Sequence, residues 1–382
     1  MNIKSLLLGS AAALVAVSGA QAADAIVAAE PEPMEYVRVC DAFGTGYFYI
    51  PGTETCLKIG GYVRAQIDGR SDFDIDGLPT TVDRAGGYKT NTRGKLQISA
   101  KSDTELGTLT SVINMEANSN AVGNAFYLDE TFIELGGLRV GYFYNYFDNG
   151  LPGETVLSDG GPLGDFGGYI GGDTLNNSIR YTFDGGAFQA YIQGDFFNAQ
   201  GDGYTTNWKT ETTGDDELGL NAMIAGKFGG VAVDLFGAYD FDYDDGVIAS
   251  TLAAEIGPGT LGIFGVYSFG PTRYWDFSEW SVGAEYAIKV SDRLSITPGA
   301  QYWSNIVPLY GSSDYSGGDA WRVGVTADYE ITTNLNLKAT VNYTDVDLDG
   351  TVVNLGTAAA PANFVAGDGD RWEGFLRLQR SF

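Results

Sequence analysis

The chain has no histidine among its 382 residues. Without an imidazole there is no Ser-His-Asp triad, no His-ligated zinc and no side chain that titrates near neutral pH when unperturbed. Basic residues are also scarce, 22 Lys and Arg against 49 Asp and Glu, for a formal charge of -27. That balance excludes nucleic acid as a partner, because a phosphate-tracking surface draws its affinity from clustered cations. Walker loops, dinucleotide fingerprints and nucleophile elbows are absent as well. An enzyme built on this chain would have to work with carboxylates alone, as glycosidases do; we expect no enzyme and no cofactor. Hydrophobic content of 44% is nevertheless too high for a disordered chain.

Long apolar runs are missing too, except at the N-terminus. Residues 1–22 carry Lys4, an apolar stretch from Leu6 to Val17 and the small-x-small ending Ala20-Gln21-Ala22. This pattern predicts a cleaved signal peptide and a mature chain beginning at Ala23. Export makes Cys40 and Cys56, the only cysteines, a natural disulfide within an N-terminal segment over 23–57. Closing a loop of that size stabilises by roughly 3 kcal/mol on the chain-entropy model.

What fills the rest is alternation. Ile59, Gly61, Val63, Ala65 and Ile67 interleave with Lys58, Tyr62, Arg64 and Gln66; Trp321, Val323, Val325, Ala327 and Tyr329 interleave with Arg322, Thr326, Asp328 and Glu330. A period of two means strands with one apolar and one wet face. Such runs fall near 58–68, 93–103, 107–118, 126–136, 137–145, 178–184, 187–197, 217–228, 231–242, 247–256, 260–269, 277–289, 294–304, 320–330, 335–345 and 371–382, sixteen in all. Short connectors such as Gly136-Gly137 and Gly229-Gly230 take turns with long acidic ones such as 69–92 and 146–177. A soluble sandwich would not need its polar face so rich in Gly, Thr, Asn and charge. The simpler account is an all-β, sixteen-stranded antiparallel transmembrane barrel over 58–382, apolar outside and polar within, wide enough for an aqueous channel. Aromatics near strand ends, Tyr142, Tyr239, Tyr267, Trp280, Tyr286, Tyr302, Trp321, Tyr329, Tyr343 and Trp372, would form interfacial girdles.

Strand-borne cations fall almost entirely on the predicted inner face: Arg64, Lys95, Lys101, Arg139, Arg180, Arg322, Lys338 and Arg377. A lipid-facing charge at mid-membrane costs about 2 to 4 kcal/mol, so this segregation follows from the bilayer alone. The connector 146–177 goes further. It holds Asp148, Glu154, Asp159, Asp165 and Asp173 and no basic residue. Folded inward, it would set carboxylates across the lumen from the basic wall and make a constriction with a transverse field; folded outward, it is a solvated acidic loop. Two loops carry Asp-x-Asp-x-Asp-Gly, at Asp72, Asp74, Asp76 with Gly77 and at Asp345, Asp347, Asp349 with Gly350. The first also has Asp83 at the twelfth position, which makes Asp72, Asp74, Asp76 and Asp83 a calcium candidate against a default of solvated loop tips.

The stretch EYVRVCDAFGTGYFYIPGTETCLKIGGYVR at 35–64, the ELGGLRVG run at 134–141, the ending RLQRSF at 377–382 and the leader itself resemble the alphaproteobacterial porins typified by the major Brucella and Rhizobium outer-membrane porins. The resemblance implies a homotrimeric channel of a Gram-negative outer membrane, set in lipid and lipopolysaccharide, passing small hydrophilic solutes and ions passively with the third external loop, 146–177, folded inside. It also implies that Phe382 is the signal read by the barrel-assembly machinery, although Arg380 stands where many porins carry an aromatic. The start Ala23-Asp24 is similar to those of relatives thought to be tethered to peptidoglycan. The acidic excess leads us to expect mild cation preference; a substrate-specific channel or an adhesin using the external loops is the alternative.

Overall fold

In the computed structural model the described residues are 38–77, 86–120, 123–148, 162, 175–197, 218–306, 315, 317–348, 350–354 and 363–382. The expected signal peptide and Ala23 lie outside them. After a two-residue strand β1 (Phe48–Tyr49), the wall is built from β2 (Cys56–Arg70), β3 (Gly87–Thr104), β4 (Gly107–Asn120), β5 (Gly123–Leu135), β6 (Leu138–Tyr144), β7 (Leu175–Asp184), β8 (Phe188–Phe196) and β9 (Leu218–Phe228). It continues through β10 (Val231–Asp240), β11 (Asp245–Ile256), β12 (Gly259–Ser268), β13 (Trp280–Ser291), β14 (Leu294–Ser304), β15 (Asp319–Thr332), β16 (Leu335–Asp347) and β19 (Asp368–Ser381), while β17 (Val352–Asn354) and β18 (Asn363–Val365) form a small separate hairpin.

Each wall strand pairs antiparallel with the next, and β19 pairs with β2 from Glu373↔Arg70 to Ser381↔Tyr62. The sixteen strands therefore close, and no wall strand is left as an edge. Closure satisfies the backbone without water, which a membrane-spanning sheet requires. The seam ends on Phe382, whose N–H donates to Gly61 O at 3.0 Å while Gly61 N–H donates to Phe382 O at 3.1 Å. Gly61 is glycine for a reason: a Cβ there would run into the Lys95 carbonyl.

The faces are inverted relative to a soluble protein. Ile59, Val63, Ile67, Val323, Val325, Leu376 and Leu378 are exposed on the outside, whereas Asn114, Glu116, Gln193, Asn221, Glu285, Gln301 and Thr344 are buried on the inside. Outward rings meet at tilted angles in ladders, Trp280 with Tyr302 at 5.2 Å, Trp321 with Tyr343 at 5.3 Å and Tyr343 with Trp372 at 4.9 Å between centroids, forming part of the expected girdle. One rim carries tight turns. Its Gly136-Gly137 pair, at φ 57° and 87°, supplies the two positive φ values that a short hairpin turn demands.

Several strand bounds differ from the periodicity. The wall starts at Cys56, not 58, because Phe48 and Tyr49 pair with Leu57 and Cys56. β3 runs up to Gly87, opposite Arg70, and the last strand starts at Asp368, opposite Asp347. Residues 277–279, expected to open a strand, belong to a connector instead, since Phe277 and Ser278 are buried inside the barrel.

The Cys40–Cys56 disulfide is present, with the two Cα atoms 6.0 Å apart. It closes a compact knot on the inner face of β2 and β3 at the tight-turn rim. There Tyr47 Oη hydrogen-bonds with Ser99 Oγ at 3.0 Å, and the ammonium groups of Lys58 and Lys101 each sit 5.7 Å from the Tyr47 ring centre.

Candidate functional site

The lumen is the candidate site, and its basic wall follows from register. Residues directly opposite across antiparallel strands share a face, and Arg64↔Arg93, Lys338↔Arg377 and Arg139↔Arg180 are such pairs. Like charges facing one another oppose folding, so nothing in the sheet itself favours them. Neighbouring groups offset part of that cost. Lys95 pairs with Asp129 at 2.5 Å and Glu116 at 3.6 Å, and Arg93 with Glu116 at 3.0 Å. Arg139 meets Glu134 at 2.6 Å, Lys338 meets Asp328 at 3.0 Å, and Arg322 and Arg371 share Glu373 at 3.0 and 3.3 Å.

Arg64 and Arg377 are held differently. Arg64 Nε donates to Gln379 Oε1 at 2.8 Å and Arg377 Nε donates to Gln66 Oε1 at 2.6 Å, a reciprocal cross between β2 and β19. Their guanidinium carbons lie 4.7 Å from the Tyr62 ring centre and 4.3 Å from that of Phe375. Among the described residues neither forms an ion pair with a carboxylate. Arg180 is similarly fixed, with Nε donating to Gln193 at 2.6 Å and a terminal nitrogen to the Tyr144 carbonyl at 2.8 Å. Lys101 is drawn instead to Tyr47 of the disulfide knot.

The opposite side is partly filled by chain entering from the long-loop rim. At the start of the third connector, Tyr146 stacks on Phe236 at 4.4 Å between centroids, and its hydroxyl donates to Asp234; both partners are inner-face residues of β10. The chain leaving β6 thus reaches four strands along the wall within two residues of its end. Burial, reinforced by Asp234, pushes the Tyr146 phenol well above its ordinary pKa, so it remains a neutral donor. Phe147 packs on Phe236 and on Trp275 at 5.2 and 5.6 Å. Of the sequence candidates on this connector, Glu154, Asp159, Asp165 and Asp173 lie outside the described residues, as does the side chain of Asp148. A cavity of about 600 Å³ is bordered by Glu130, Glu134, Arg139, Arg180, Gln189 and Tyr191.

Reading the sequence missed the carboxylates that hold these loops. Asp195, fully buried, accepts from Ser178 Oγ, Gln193 Nε2, Asn221 Nδ2 and Tyr274 Oη at 2.5 to 2.6 Å. Asp234 accepts from Tyr146 and from Thr251 N–H at 2.9 Å. The available signal was a carboxylate in phase with the polar face, as Asp234 is between Val233 and Leu235. Arg93, Arg273 and Arg371 were missed as well. At the proposed calcium loop, Asp72, Asp74 and Asp76 are the exposed side of an extended segment whose other side, Phe73 and Ile75, is buried in the interior core. No cluster of three or more acidic groups suited to a metal occurs among the described residues, and Asp83 and Asp349 lie outside them.

The family model described as Porin subfamily matches residues 24–375. The chain is 45% identical to outer membrane protein IIIA of Rhizobium leguminosarum bv. viciae over 90% of each chain, and 36% identical to porin Omp2b of Brucella suis over the full length of both. Among solved structures, the outer membrane channel DcaP of Acinetobacter baumannii superposes with a TM-score of 0.60 at 13% identity, covering 87% of this chain and 99% of that one, a likeness of fold.

Proposed function

The chain belongs to the porin subfamily and is an outer-membrane β-barrel channel of a Gram-negative bacterium rather than an enzyme, and from that premise we propose that it passes small hydrophilic solutes and ions by passive diffusion with mild cation preference. The observation that carries this reading is the inverted barrel itself: a closed wall, apolar outward, with a charged and hydrogen-bonding inner face that offers many weak contacts. The preference for cations rests on the formal charge of -27 and on the composition of the third connector, which carries Asp148, Glu154, Asp159, Asp165 and Asp173 and no basic residue.

Single-channel recording of the purified protein in a planar bilayer under a salt gradient tests it. We expect a large ohmic pore, closing in three steps, with a mildly cationic reversal potential. Asp159→Asn with Asp165→Asn should reduce that preference. Silence from inserted, correctly folded barrels would sink the channel reading, and saturating currents with one solute would replace it with a substrate-specific channel.

A homotrimer completes the proposal. The outer face of β2 to β4 presents Gly61, Ala65, Gly94, Ala100, Ser111 and Ala117 among the exposed Ile59, Val63, Ile67 and Ile113, an apolar surface suited to a second copy of the chain. Lipid and lipopolysaccharide cover the rest. Phe382 serves as the assembly-machinery signal, and Ala23 as a tether to peptidoglycan; muropeptides from digested cells without an Ala23 peptide would remove the tether.

A further inference from the structure

The connector between β12 and β13, sixth on the long-loop rim, does not stand above the barrel. Every residue from Gly270 to Ser278 is buried, and the segment is fastened at three places. Tyr274 Oη donates to Asp195 on β8 at 2.6 Å. Arg273 reaches Asp240 at the end of β10 at 3.3 Å and Asp242 just beyond it at 2.6 Å. Trp275 Nε1 donates to the Ser278 carbonyl at 2.9 Å, which closes the loop on itself. The wall is cut to receive it: Gly219 on β9 faces Tyr274, and a Cβ there would overlap the phenol oxygen.

Trp275 then presents its ring to the third connector. It lies 5.6 Å from Phe147, 5.9 Å from Phe264 on β12 and 5.0 Å from Phe277. Phe147 therefore rests on one wall residue, Phe236, and one loop residue, Trp275, while Tyr146 rests on Phe236 and on Phe147 itself. We propose that the sixth connector is a fixed seat for the start of the third, Tyr146 and Phe147, with Trp275 and Tyr274 as positioning residues, so that this buried loop helps to set the width of the pore. Solute does not touch these side chains, since both are buried; they act by where they hold Tyr146 and Phe147. The barrel wall alone does not explain the arrangement, because β8 and β10 need no tyrosine or arginine from β12–β13 to complete their ladders.

The inference rests on the channel reading, and conduction by the parent protein tests that reading first. With a conducting parent, Trp275→Ala and replacement of 271–278 by a short Gly-Ser linker are compared in planar bilayers and in liposome swelling with sugars of graded size, using heat-resistant gel mobility to score assembly. Both should conduct more than the parent and admit sugars that it excludes. Assembled variants with parent conductance and parent exclusion would overturn the proposal. Should either change block assembly, Tyr274→Phe removes only the hydrogen bond to Asp195 and leaves every ring in place. More frequent closures at high voltage would then support the seat, and parent-like current traces would overturn it.

Discussion

Replacing Glu116 by Gln should give the Arg93–Lys95 cluster of the inner wall a net positive charge with almost no change in shape. Glu116 sits between Arg93 and Lys95 and also accepts from Tyr62 Oη at 3.1 Å and Tyr127 Oη at 2.7 Å. Counting Arg93 and Lys95 against Glu116 and Asp129, the cluster is neutral; the substitution leaves it at one positive charge. The amide oxygen of Gln still accepts from a tyrosine, so geometry is preserved. An ion passing at roughly 5 Å gains or loses about 0.8 kcal/mol in water-like dielectric, reduced to about 0.5 kcal/mol by screening at 0.1 M salt. That converts to about a two- to fourfold enrichment of anions and a matching depletion of cations near the wall. Reversal potentials in a potassium chloride gradient should move toward the anionic side, and the shift should almost vanish near 1 M salt, where the Debye length is about 3 Å. Normal conductance with an unmoved reversal potential at low salt would refute the idea that this wall sets the ion preference.

Three further outcomes follow from other parts of the molecule. Serine at both Cys40 and Cys56 should lower the resistance of the inner knot to unfolding by roughly 3 kcal/mol, read as a lower denaturant midpoint for protease protection of residues 40–56 with the barrel transition unchanged. Val325→Arg, on the outer face in the middle of β15, should cost about 2 to 4 kcal/mol in lipid, whereas Thr326→Arg, one residue on and facing the lumen, should fold and instead reduce conductance; reversible urea titration in vesicles separates them. Gly61→Ala should weaken the β2–β19 seam through its collision with the Lys95 carbonyl, seen as loss of heat-resistant mobility on gels.

Wall strands were legible because burial in a barrel follows a strict period of two, and an apolar exterior leaves its mark at Ile59, Val63 and Val325 as plainly as a core would. Facing was equally legible: an arginine at 64 or 377 has only one affordable side. The interior loops were not. Gly270 to Ser278 is aromatic, short and without alternation, and its burial depends on Asp195 and Asp240, which are distant in sequence and become neighbours only when the wall curves round. The alternation around Asp72, Asp74 and Asp76 marked exposed carboxylates, but sequence did not show that Phe73 and Ile75 between them are buried in the interior. Which cations are neutralised was also hidden, since Lys95 finds Asp129 two strands away and Arg64 finds a glutamine across the seam.

The seam between β19 and β2 has a kinetic meaning. Its pairing joins residues more than three hundred positions apart, such as Arg377 with Gln66, whereas almost every other wall strand pairs with its immediate successor. Loop-closure entropy must be met before such a contact returns anything, so the ring can form as a growing sheet by local hairpins but cannot become a ring until the last strand exists. Until then two raw edges remain, each a template for the wrong partner. The chain's final residue, hooked to Gly61, is thus also the point at which an aggregation-prone sheet becomes a finished wall.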